Sequence, residues 1–264
     1  MGEQKTDKNV PTSSETTEKN TEEVKSAVSE QDREDKWGYD LYPERRGETP
    51  TPKWWQMAFF GEGRTSVEKT HCERNVYNCF QNSPLVKLMY KALKASGCEI
   101  DLRRHIACEV CDVKVSGGFD PQLNQIVVCQ NVARSEGLVQ GVLVHEMIHM
   151  FDYCRHEMDF KDIHHLACTE IRAANLTHCS FMSAWAQGDA SPVNIKAQHA
   201  ACVKTKAAAS VIAVRKVSEA EARAAVDHVF NRCYNDLEPI GRRVRRNSQD
   251  MIRAFNERSN YGYD

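Results

Sequence analysis

The chain has 264 residues, enough for one large domain or two small ones, and its 35 basic and 37 acidic side chains nearly cancel. That balance gives no global field to attract nucleic acid. No stretch reaches the ~18 continuous apolar residues of a membrane-spanning helix, so a soluble or peripheral protein is expected.

Residues Met1–Lys36 carry ten acidic and six basic side chains and no apolar core. This argues against a secretory signal and against an Arg-rich, acid-poor transit peptide. The Ser, Thr, Glu and Lys content predicts disorder. Tyr39–Pro52, rich in Pro, Gly and charge, reads as an extended linker, so residues 1–52 form a tail and linker ahead of one domain over 53–264. Trp54-Trp55 and Phe59-Phe60 make an aromatic cluster too short to cross a bilayer, and are expected to pack on the domain.

Ser83-Pro84 marks a helix start, with Ser83 at the N-cap, Pro84 at the first helical position and Gly97 at the stop. Leu85, Leu88, Met89, Ala92 and Leu93 supply its apolar face. Strands are predicted over Leu102–Ala107 and Gln125–Cys129, with Gly117-Gly118 and Asp120-Pro121 marking a turn between them. Helices follow from about Gly137 to Arg155, from about His164 to Thr177, over Ile195–Val217, and from Ser218 to about Leu237. The last opens on a Ser218/Glu221 capping box. A basic segment closes the chain. This order points to an α+β fold.

Eleven cysteines are spread over residues 72–233. Zinc ligation and disulfides both explain such a count. A single CxxC, Cys108 and Cys111, has no matching second pair, which favours disulfides and hence an oxidising compartment. Complete internal pairing leaves one thiol over.

The strongest local signal is His145-Glu-Met-Ile-His149, inside the 137–155 helix. At about 100° per residue the two imidazoles lie roughly 40° apart on one face, able to grip one metal ion. Glu146 lies beside them, where a carboxylate can take a proton from metal-activated water. A chain of this composition should contain only about 0.03 such matches by chance, so two ordinary helix histidines are the weaker reading. The second HEM triplet, His156-Glu157-Met158, has no partner histidine four residues on, and His156 is expected to help end the helix. A catalytic zinc needs a third protein ligand. Asp152, His156, His164, His165 and Glu170 are candidates; Glu170, 21 residues after His149, is placed first because it gives a His₂Glu set. Asp152 fits better as a carboxylate orienting an imidazole N–H. The competing reading makes Glu170 a surface carboxylate paired with Arg172 or Arg155.

Gly117-Gly118-Phe119, "NQIVVCQN" (124–131), "LVHEMIHMFDYCR" (143–155) and "HHLACTEIRAANL" (164–176) resemble the mitochondrial metalloprotease family that matures and helps assemble the ATP synthase, the M76-type peptidases. The resemblance covers roughly residues 70–240 when the cysteines are included. It implies a zincin-like, disulfide-rich domain with one Zn²⁺ per chain, His145 and His149 as ligands and Glu146 as the catalytic glutamate. It also implies peripheral attachment to the inner membrane on the intermembrane-space side. There the enzyme would remove an N-terminal extension from ATP synthase subunit 6, assist assembly of the membrane sector, and receive its disulfides from the intermembrane-space relay. No nucleic-acid partner is expected.

The mechanism expected is metal-assisted amide hydrolysis, with the strand Gln125–Cys129 offering an edge on which substrate pairs. Two rivals stand beside it. One is an assembly chaperone in which zinc only holds the fold. The other is a nuclear or cytosolic zinc protease, for which the basic run Arg242–Arg246 is the only support.

Overall fold

A computed structural model describes residues 41–48, 65–111, 115–179, 195–245 and 248–264. The aromatic cluster at 54–60, the tail over 1–36 and Arg246 lie outside the described residues.

Three short strands form one sheet in the order β1-β3-β2: β1 is Ile106–Glu109, β2 is Gly117–Asp120 and β3 is Gln125–Cys129. β1 runs parallel to β3, with Ile106 opposite Ile126 and Glu109 opposite Cys129. β2 runs antiparallel to it, with Gly117 opposite Val128 and Asp120 opposite Gln125. β3 is therefore central. It is no substrate edge, because both of its sides are occupied by ladder hydrogen bonds; its apolar run Ile126-Val-Val128 is what a strand buried on both faces requires.

Helix α1 (Thr65–Asn82) was not anticipated, since its sequence is polar on most faces and only Cys72, Val76, Cys79 and Phe80 are buried. Helix α2 (Pro84–Ala95) follows the expected design: the Ser83 hydroxyl accepts from the Val86 amide, and Gly97 takes φ +84°. The strand expected over Leu102–Ala107 begins instead with a helical turn, α3 (Leu102–His105), because Asp101 caps the Arg103 amide. The two glycines expected in a turn lie in β2; the reversal falls at residues 121–124, where Asp120 Oδ1 accepts from the amides of Gln122 and Leu123.

Helix α4 (Glu136–Arg155) starts at an N-cap Ser135 and runs through the main core with Val139, Val142, Leu143, Met147, Ile148, Met150 and Phe151 buried. Leu138, in its first turn, is exposed. Helix α5 (Ile163–Ala173), capped by Asp162, ends in a π-helical turn over Ala174–His178 rather than continuing as an α-helix to Thr177. Helices α6 (Ile195–Arg215) and α7 (Glu219–Asn235) pack with α5 around a second core of Leu166, Ile171, Val203, Val211, Val226 and Phe230. The Ser218/Glu221 capping box is formed. A last helix, α8 (Asp250–Asn256), returns to the first core.

Residues 41–48 are not an extended linker. Pro43–Arg46 forms a 3₁₀ turn, Tyr42 is buried, and Arg45 binds Glu109, Asp120 and Gln125. The register puts those three residues on one face of the sheet with Val127, so this turn lies across the face opposite α4. Arg242, Arg243 and Arg245 are likewise used within the fold. They bind Glu257, Asn175 and Asp250 respectively, which removes the argument drawn from a basic run.

Ten cysteines form five disulfides: Cys72–Cys108, Cys98–Cys154, Cys111–Cys129, Cys168–Cys233 and Cys179–Cys202. Cys79 is the free thiol, and it is buried. The CxxC is split between two of these bonds. No helix among the described residues is long and apolar enough to cross a membrane.

Candidate metal centre

Helix α4 is buried on most sides, so its interior polar residues are the exceptions that need explaining. His149, Glu146 and Asp152 are all buried there, and α5 adds buried Thr169, Glu170 and Arg172 from across the interface. Burying so many polar groups is unfavourable unless they are paired or hold an ion.

His145 and His149 stand one turn apart with ring centroids 4.8 Å apart and planes at 83°. Their Nε2 atoms approach to 3.1 Å. The Glu170 carboxylate faces both rings, with Oε2 3.7 Å from His145 Nε2 and Oε1 3.5 Å from His149 Nε2. Among the described residues this is the one group of three such side chains whose ligand atoms lie within 4.8 Å of one another. Two donors at ordinary zinc–ligand lengths and a tetrahedral angle stand roughly 3.3 Å apart. The imidazole nitrogens stand near that value and the carboxylate brings one oxygen toward each, so two imidazoles and one carboxylate suit a zinc ion in donor chemistry and lie close enough to share it.

The electrostatics agree. Burial pushes the Glu170 carboxyl up to about 7, against the pull of the Ser210 hydroxyl. Burial, reinforced by the negative charge of Glu170, pushes Glu146 well above the usual carboxylate range. A dication between them relieves both costs.

A hydrogen-bonded chain lies behind His149. Its Nδ1 is 2.8 Å from the Thr169 hydroxyl, which donates to Asp152 Oδ2 at 2.7 Å. Arg172 grips both Asp152 oxygens, at 3.0 and 2.9 Å. It also binds Asp236 and the Glu238 carbonyl. Asp152 thus sits near His149 as the sequence suggests, but the contact is indirect. Arg172 is committed to Asp152 and Asp236, and Arg155 to Glu238, so neither takes Glu170 as an ion-pair partner.

His156, His164 and His165 do not join the cluster. His156 caps the C-terminal end of α4 in an extended conformation. His165 Nδ1 accepts from the Asp159 amide, and the His164 ring packs edge-on against His228. Thr169 was missed, and Arg172 was considered only as a partner for Glu170, although both stand within the stretch that carries Glu170. Gly117 was misread: a β-carbon there would fall 2.4 Å from Val142 Cγ1, 2.7 Å from the Val127 carbonyl oxygen and 3.7 Å from Glu146 Oε1. Glycine is what lets β2 lie this close to Val142 of α4 and to the Val127 carbonyl, with Glu146 beside it.

The model of the Peptidase M76 family matches residues 70–241. The mitochondrial inner membrane protease ATP23 homolog of Danio rerio is 38% identical over 90% of this chain and 92% of its own. Its Homo sapiens counterpart is 40% identical over 82% of this chain and 85% of its own. The mitochondrial inner membrane protease atp23 of Schizosaccharomyces pombe is 34% identical over 66% of this chain and 94% of its own. No solved structure matches.

Proposed function

The chain belongs to the Peptidase M76 family and is a metallopeptidase; from that premise we propose a zinc-dependent endopeptidase with a zincin-like site and one zinc per chain. His145, His149 and Glu170 hold the ion, and Glu146 is the general base. The observation that carries this reading is the convergence of ligand atoms from α4 and α5 beside Glu146, a buried glutamate of α4.

Zinc held there supplies Lewis acidity toward the scissile carbonyl and the attacking water. Glu146 takes a proton from that water and returns it to the leaving amine. β2, an outer strand whose Gly117 lies against Glu146, takes the place of β3 as the strand with which an extended substrate segment pairs.

The proposed setting is the intermembrane-space face of the mitochondrial inner membrane, with peripheral attachment. Relatives named as mitochondrial inner membrane proteases support the membrane, and five disulfides support an oxidising compartment filled through the intermembrane-space relay. The proposed substrate is the N-terminal extension of ATP synthase subunit 6, with assistance to assembly of the membrane sector as a second activity.

The test combines metal content with processing of a subunit 6 precursor by the purified, oxidised chain. Wild type should hold one zinc and cut; His149→Ala should lose both properties; Glu146→Gln should keep zinc and stop cutting. Cutting by Glu146→Gln at the wild-type rate would sink the general-base assignment. Zinc without cutting in any form would favour the assembly chaperone.

A further inference from the structure

We propose that Thr169 is a positioning residue of the metal centre, its hydroxyl relaying between His149 Nδ1 and the Asp152 carboxylate so as to fix the tautomer and aim of the imidazole. This inference rests on the reading of His149 as a ligand.

With Asp152 ionised against Arg172, the proton inventory leaves one arrangement. Asp152 accepts from Arg172 at both oxygens, so the short Thr169–Asp152 contact needs the hydroxyl proton to point at Asp152 Oδ2. A hydroxyl has one proton, and Thr169 must then accept from its other neighbour. That neighbour is His149 Nδ1, which therefore carries hydrogen. With Nδ1 protonated, the neutral ring keeps its lone pair on Nε2, the atom that faces His145 and Glu170. Thr169 is 1% exposed, which leaves little room for water to take over the hydroxyl's bonds.

A metal-binding histidine commonly donates its second N–H straight to a carboxylate or carbonyl. Here Asp152 follows His149 by three residues on the same helix but is held by Arg172, which Asp236 and the Glu238 carbonyl fix in turn. The hydroxyl bridges the remaining gap. Because Thr169 is the immediate neighbour of Glu170, one turn of α5 supplies a proposed ligand and also the group that aims another.

The tautomer can be read directly by long-range ¹H–¹⁵N NMR of ¹⁵N-histidine protein with metal removed. Wild type should show His149 as the Nδ1–H form, and the nearly isosteric Thr169→Val should lose that preference. Zinc affinity, measured by competition with a chromogenic chelator, should fall about 10- to 100-fold in Thr169→Val and stay within about threefold in Thr169→Ser. An Nε2–H tautomer in wild type overturns the relay, and so does a Thr169→Val protein whose zinc affinity stays within about twofold. Should Thr169→Val not fold, the wild-type spectrum still decides. Wild type that binds no zinc yet shows Nδ1–H would overturn the metal reading while leaving the hydrogen-bond assignment standing.

Discussion

Arg45 donates to Asp120 at 2.6 Å across 75 residues of sequence. The same guanidinium reaches Glu109 at 2.9 Å and the Gln125 side chain at 2.6 Å, so one residue from the N-terminal turn ties all three strands. Asp120 and Glu109 are both largely buried, and neither charge is well solvated once Arg45 is gone. Arg45→Met should cost on the order of 3 kcal/mol, the scale for breaking a buried ion pair. Thermal melting of the oxidised protein would check this. A midpoint unchanged from wild type would mean that the turn merely rests on the sheet.

Gly117 sets the distance between β2 and the proposed general base. Gly117→Ala forces a β-carbon into Val142 and the Val127 carbonyl, so the strand must move outward. Overpacking of this kind costs about 1–3 kcal/mol. Cleavage should suffer more than stability, since the shift moves the strand facing Glu146. Adding Val142→Ala should recover part of the melting temperature but not the full rate, because the carbonyl contact remains. Full recovery of cleavage in the double variant would show that strand placement is unimportant.

Cys79 gives a sharp count. It is a buried residue of α1, its thiol lies 3.6 Å from the Glu136 carbonyl, and burial, with Glu136 adding to it, pushes its pKa up to about 12. Thiolate is the reactive form, so the folded protein should resist alkylation near neutral pH. Mass spectrometry after maleimide treatment should find no label in native protein, one in denaturant without reductant, and eleven after reduction. Several labels in denaturant without reductant would contradict the five disulfides.

What the sequence disclosed follows the range of the interaction. Ser83 and the Ser218/Glu221 pair act within three residues, and the helices they open begin where spacing predicts. His145 and His149 are linked by helix geometry alone, and Glu170 was reachable because α5 follows α4 closely. Thr169 and Arg172 act on α4 from 17 and 20 residues away through side-chain geometry, which no periodicity records. Arg45 acts over longer spans still, and its Pro- and Gly-flanked segment has the composition of a linker. Cysteine number was legible but pairing was not, because loops of 18 to 65 residues can close in many ways.

Removing the metal should invert the usual pH dependence of stability. In the stripped protein Glu170 has a carboxyl raised from 4.5 to about 7 by burial, and Glu146 is also raised, by burial and by the charge of Glu170. An acid whose folded pKa exceeds its unfolded one binds more protons folded than unfolded between the two values. Its contribution is fully present below about pH 4.5 and is lost as pH rises through about 7. For Glu170 alone that loss is on the order of 3 kcal/mol. Chelator-treated protein, with disulfides intact, should therefore melt at a higher temperature at pH 5 than at pH 8. Zinc added back at pH 8 should restore most of the difference, because it binds the deprotonated ligands. Glu146→Gln, which removes one of the two buried charges, should flatten the dependence in stripped protein. A stripped wild type that is more stable at pH 8 than at pH 5 would mean the two carboxylates are not held close and buried as the structure has them.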